Sequence, residues 1–218
     1  MNWPRYQPVG DSALAVAFGD EIAPALNRRV HALARLLDQD RLPGFCEAVP
    51  TYCALLIHYD PLLIGYQNVV DWVAAKVPQI EAATPASPRR LEIPVLYNGP
   101  DLAFVAEYNH LTVEEVIAIH SGEAYTVYMM GFTPGFPYMG RLPPAIITPR
   151  LETPRTRVPA GSVGIAGPQT GIYPIESPGG WRIIGQTRLK LFDLSRDPPF
   201  LFAPGDVVRF TPVYAESA

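Results

Sequence analysis

"GSVGIAGPQTGIYPIESPGGWRIIG", residues 161–185, decides the class of the second half of the chain. Short apolar runs such as GSVGIAG, GIYPI and WRIIG are cut by Gly or Pro every few residues. None is long enough for a helix, and Val and Ile fill the gaps between the breakers. "LKLFD" (189–193) and "DVVRFTPV" (206–213) continue the pattern. Several short strands with turn signals and little helix predict a closed or sandwich-like β domain.

Upstream, "GFTPGFPYMG" (131–140) holds three glycines, two prolines and three aromatics and carries no charge. It is too broken for a helix and too aromatic for a solvated loop, so it reads as a Pro-fixed loop without regular structure. "AYTVYMM" (124–130) reads as the strand that feeds it, and "LEIPVLY" (91–97) as the first strand of this half. Two short helices should lie between them. Asp101 is placed to cap the first, and Thr112 with Glu115 has capping-box spacing for the second.

The first half reads as an α+β unit. "ALAVAF" (13–18) is a strand, and residues 21–40 set Ile22, Leu26, Val30, Leu33 and Leu37 on one helical stripe. Residues 44–50 and 52–59 read as strands and 68–77 as a second helix, with room for a closing strand. That is the order of a ferredoxin-like split βαβ. "EAATPASPRR" (81–90) has linker composition, which predicts domains over 1–85 and 86–218.

With 48% hydrophobic and 17% charged residues the 218-residue chain can bury two cores, and a net charge of −4 argues against nucleic-acid binding. No run approaches 18 apolar residues, so no membrane span is expected. Pro4, Arg5 and Asp11 interrupt the region where a signal peptide needs an apolar core, so cytoplasmic location is the expectation. Cys46 and Cys53 are expected as reduced core residues. The four histidines show no metal-ligand spacing, and no metal is expected. Lys76 and Lys190 are the only lysines, and neither sits in a P-loop or a biotin-acceptor context.

Residues 131–180 hold 9 of the 17 glycines and 10 of the 25 prolines. From Arg141 to Lys190 there are seven basic residues against Glu152 and Glu176 alone. Arginine presents a planar fork suited to carboxylate or phosphate, so the segment reads as an anion-binding region; the plainer reading is pairing with acids elsewhere. His120, at the end of a predicted helix, is the candidate titratable group; the plainer reading is a cation favoured by the helix dipole.

"GFTPGFPYMG" together with "TPRLETPRTRVPAGSVGIAGPQTGIYPIESPGGWRIIGQT" (148–187) resembles the signature of the KipI / allophanate hydrolase subunit 1 family, members of which are mostly regarded as the B-subunit of 5-oxoprolinase. The likeness extends to "GDSAL" (10–14), "HS" (120–121), "LFD" (191–193) and "PGDVVRF" (204–210). The resemblance implies an α+β N-terminal domain and a mainly-β, cyclophilin-like C-terminal barrel, a unit shared with the carboxyltransferase region of urea carboxylase. It implies a hydrolase component that opens 5-oxo-L-proline to L-glutamate with ATP. Its partners would be a KipA / allophanate hydrolase subunit 2-type protein (the C-subunit) and a LamB/YcsF-type protein (the A-subunit), and the isolated chain would be inactive. Two other roles stay open: inhibition of a sensor histidine kinase, and a component of urea or allophanate metabolism. For an anionic substrate the expected contacts are Arg150, Arg155 and Arg157, with Gln169, Thr170 and Tyr173 as neutral partners and Phe132, Pro134, Phe136 and Tyr138 as the pocket wall.

Overall fold

The computed structural model describes residues 3–81 and 88–214. The chain divides into two compact units, Met1–Ser87 and Pro88–Ala218. Most of the expected linker, residues 82–87, lies outside the described residues.

The first unit opens with a hairpin of β1 (Arg5–Val9) and β2 (Ala13–Ala17), followed by α1 (Pro24–Gln39), β3 (Phe45–Pro50), β4 (Ala54–Tyr59) and α2 (Tyr66–Lys76). The sheet order is β1-β2-β4-β3, antiparallel throughout. Because β4 lies antiparallel between them, β2 and β3 run parallel and α1 is the crossover of a split βαβ. The edge position beside β2 is filled by β1. The expected strand after α2 is replaced, among the described residues, by a 3₁₀ turn at Val77–Gln79. The apolar stripe of α1 (Val30, Leu33, Leu37) packs with Leu14, Val16, Leu55, Ile57, Val69 and Val73. Both cysteines are free thiols, but Cys46 is exposed and Cys53 half-buried, so neither is the core residue expected. Cys46 falls at a bulge on edge strand β3, which turns its side chain away from the core.

The second unit runs β5 (Arg90–Val95), α3 (Leu102–Tyr108), α4 (Val113–Gly122), β6 (Ala124–Met130), β7 (Pro137–Gly140), β8 (Arg155–Val158), β9 (Ser162–Ala166), β10 (Gln169–Ile172), β11 (Ser177–Gly179), β12 (Arg182–Gln186) and β13 (Val207–Pro212). Seven strands form one mixed sheet in the order β12-β9-β10-β7-β6-β13-β5, and only β13–β5 is parallel. Leu96 and Gln186 exchange two backbone hydrogen bonds of 2.9 Å, joining the end of β5 to β12 and closing the barrel. Ile93, Val127, Met139, Ile165, Ile184 and Phe210 fill its interior. α4 starts with the expected capping box: Glu115 N–H donates to Thr112 Oγ1 at 3.2 Å and Thr112 N–H to Glu115 Oε2 at 2.7 Å.

Two expectations fail here for local reasons. The second part of "GFTPGFPYMG" is β7, paired with both β6 and β10. Proline is tolerated because Pro137 is the first residue of the strand. "LKLFD" forms no strand; Phe192 makes only an isolated bridge to Phe200, against which its ring stacks at 5.4 Å.

Gly161 marks where a turn presses on the barrel wall. Its φ is +82°, and an added Cβ would overlap the Thr187 carbonyl oxygen. Gly167 also has a positive φ, +54°, but an added Cβ there meets nothing within 4 Å. Gly167→Ala should therefore cost only the left-handed penalty of about 1–2 kcal/mol. Gly161→Ala adds a backbone clash and should lose clearly more, at least about 3 kcal/mol. Denaturant unfolding of both variants measures the gap; equal losses would contradict the close approach.

Candidate functional site: an aromatic cleft on the outer barrel wall

Side chains along a strand alternate between the two faces of a sheet. In β10, Thr170 and Ile172 are fully buried on the inner side, while Gln169 faces outward. In neighbouring β7, Met139 joins the interior core and Tyr138 faces out. The outer face carries its own apolar cluster, which includes Phe136, Ala166, Tyr173 and Trp181. The two-stranded β8–β11 ribbon adds Val158 to it.

Over this cluster opens a cleft of about 320 Å³. It brings together six of the residues expected at the site: Phe132, Phe136, Tyr138, Arg150, Gln169 and Tyr173. Phe136 is the hub, meeting Phe132, Tyr173 and Trp181 edge-on at centroid distances of 5.7, 5.1 and 5.3 Å. Such T-shaped contacts align the positive ring edge with a negative face and fix the wall's shape. The sequence reading missed Trp181. A lone tryptophan behind Gly179–Gly180 in a Pro/Gly-rich segment was the signal that pointed to it.

Phe132 sits on the rim, 61% exposed, with φ +66°. A bulky residue in the left-handed region is strained, and such strain collects at functional surfaces. Three backbone bonds hold it: Gly131 N–H to Phe136 O (3.1 Å), Thr133 N–H to Gly131 O (2.8 Å) and Phe136 N–H to Thr133 O (3.1 Å). Pro134 belongs to the same loop but is exposed and outside the lining.

The expected arginines go three ways. Arg155 is taken by Asp101 at 2.9 Å and donates weakly to Trp181 O at 3.4 Å. Arg157 pairs with Glu176 at 2.6 Å on the open surface. Arg150 lines the cleft and makes no ion pair among the described residues. Its Nε and Nη2 both lie 3.6 Å from where a Gly180 Cβ would stand, so the guanidinium packs at van der Waals distance over the Gly180 backbone. Burial pushes the Tyr138 and Tyr173 phenols up; the Arg150 charge pulls Tyr138 partly back, and for Tyr173 a hydrogen bond with the Trp181 backbone does so ahead of the Arg150 charge, so both hydroxyls stay protonated near a cation. Asp101 does not cap α3 with its side chain as expected; the carboxylate accepts from Ile183 N–H at 2.7 Å instead.

His120 and Thr170 lie inside the barrel and not in the cleft. Thr170 Oγ1 donates to Gly164 O at 3.2 Å, so its oxygen accepts from His120 Nε2 at 2.9 Å. That leaves Nδ1 to accept the Tyr97 hydroxyl at 2.7 Å. The ring stacks on Phe210 at 4.5 Å and is fully buried. Burial pushes its pKa down to about 3, so the imidazole is neutral and both nitrogens are occupied. This corrects both readings of His120: it is neither a titrating group at the site nor a cation at the helix end. Among the described residues no three His, Cys, Asp or Glu side chains cluster, and no helix is long and apolar enough to cross a membrane.

The buried imidazole has a pH consequence. Unfolded histidine takes a proton below about pH 6.5, while folded His120 does not until pH approaches 3. The unfolded state then binds more protons, so stability falls as pH drops through that window and is unaffected above it. Relative to His120→Gln, the native chain should lose up to about 1.4 kcal/mol per pH unit between pH 6 and pH 4. A stability difference that is flat across that range would contradict the buried neutral ring.

The sequence matches the profile of the family described as "Carboxyltransferase domain, subdomain C and D" over residues 4–202. It is 43% identical to the 5-oxoprolinase B-subunit of Bacillus subtilis strain 168, over 94% of this chain and 92% of that protein. It is also 43% identical to the 5-oxoprolinase B-subunit of Escherichia coli O157:H7, over 97% of both. Among solved structures, TTHA0988 superposes with a TM-score of 0.82 at 40% identity over 93% of this chain, which spans 40% of that longer one. The chain belongs to the carboxyltransferase subdomain C and D family, among relatives named as B-subunits of 5-oxoprolinase.

Proposed function

We propose that the chain is the B-subunit of an ATP-dependent 5-oxoprolinase that opens 5-oxo-L-proline to L-glutamate. The observation that carries this is the 43% identity, over nearly the full length of both chains, to two proteins named as 5-oxoprolinase B-subunits. We read the first unit as ferredoxin-like over residues 1–85 and the barrel as cyclophilin-like over 86–218, and place the reaction in the cytoplasm, where ATP is at hand.

An unstrained lactam resists attack by water, and ATP makes the step downhill by activating the carbonyl oxygen. The outer cleft does not fit ATP itself: its lining holds one cation, Arg150, against the several charges of a triphosphate. We therefore assign the nucleotide to a partner of the KipA or LamB/YcsF type, and to this chain the holding and shielding of a small acid. The aromatic wall excludes water and strengthens each polar contact within it.

Mixing this chain with proteins of the two partner types, 5-oxo-L-proline and ATP should yield glutamate and ADP in equal amounts, and this chain alone should yield neither. No glutamate from the mixture, or turnover of urea or allophanate in its place, would overturn the reading.

A further inference from the structure

The cleft lining combines two kinds of group. Phe132, Phe136 and Trp181 supply apolar rings. Arg150 supplies the charge, close enough to act on the Tyr138 and Tyr173 hydroxyls, and Gln169 is in the same lining. Of the seven cations from Arg141 to Lys190, Arg155, Arg157, Arg182 and Lys190 each lie within ion-pair distance of a carboxylate; Arg141, Arg150 and Arg188 do not among the described residues, and of these three only Arg150 lines the cleft. A guanidinium without an acid partner beside two phenols suits a single carboxylate.

We propose that this cleft is a subsite for a small flat ring bearing one carboxylate, with Arg150 gripping the carboxylate and the ring resting against the aromatic wall that Phe136 and Trp181 form together. The proposal rests on the reading of the substrate as 5-oxo-L-proline and locates that acid on this chain, away from the nucleotide. Charge selects the ligand: one arginine balances one carboxylate, while a phosphate brings about two charges and asks for more donors. Size agrees, because about 320 Å³ is at the small end of ligand pockets.

Backbone-amide NMR titration of the full isolated chain tests this with three probes: 5-oxo-L-proline, 2-pyrrolidinone, which has the ring without the acid, and inorganic phosphate. The acid should shift the amides of Arg150, Gly167, Gln169 and Trp181 saturably. 2-Pyrrolidinone should bind at least about tenfold more weakly, and Arg150→Met should weaken the acid by a similar factor while its own spectrum stays dispersed. No saturable shift, an unchanged affinity in Arg150→Met, or tighter binding of phosphate at the same amides would overturn the assignment. If the assembled enzyme makes glutamate while the cleft stays silent, the cleft assignment falls and the 5-oxoprolinase reading stands. If the cleft binds the acid through Arg150 while the assembly makes no glutamate, the subsite stands and the 5-oxoprolinase reading falls.

Discussion

The Asp101 carboxylate, 5% exposed at the start of α3, is the interaction on which both the barrel wall and the cleft depend. One oxygen accepts from Ile183 N–H on β12 and the other from Arg155 on β8, with Arg182 at 3.9 Å as a second cation. Arg182 in turn lies 3.8 Å over the Phe104 ring of α3 and donates to Pro149 O, the residue before Arg150. A buried charge of this kind is tolerated only when its partners are all in place, and loss of one partner costs several kcal/mol, about 3–5. The knot therefore fixes α3 on the barrel, holds the β8 ribbon and the 149–150 segment in place, and withdraws two arginines from the outer face. The cleft's single positive charge is what remains.

The second constraint is the two-residue period of β10. One side of the strand hands Thr170 to a dry network through His120 and Tyr97, and the other hands Gln169 to the cleft. A slip of one residue would bury an amide in the core and put a threonine in the cleft. The interior network is fully hydrogen-bonded, so it stiffens the wall on which the cleft is built without taking part in its chemistry. Phe132, strained on the rim, is held by the loop's own backbone bonds and by its edge-on contact with Phe136.

Much of this was legible in order along the chain. The α1 stripe and the Thr112–Glu115 capping box are local signals, and both elements formed where those signals lay. The aromatic wall was legible because apolar rings in an uncharged Pro/Gly segment need a dry partner. What stayed hidden was set at long range or by pairing. Arg155 meets an acid 54 residues away, and the Asp101 to Ile183 bond spans 82 residues, so a count of basic residues could not tell which arginine stays open. β7 begins on a proline, and β8, "RTRV", lacks an apolar run; each is a strand because of its neighbours. The edge strand β1 escaped notice because its burial pattern is almost wholly exposed.

The central claim is that this chain holds the carboxylate of the substrate and a partner holds the nucleotide. A crystal structure of the assembled enzyme with 5-oxo-L-proline and a non-hydrolysable ATP analogue measures it directly. Both carboxylate oxygens should lie within about 3 Å of the Arg150 guanidinium, with the ring against the wall formed by Phe136 and Trp181. A nucleotide phosphate on Arg150, or the acid bound elsewhere while the cleft holds only water, would contradict it.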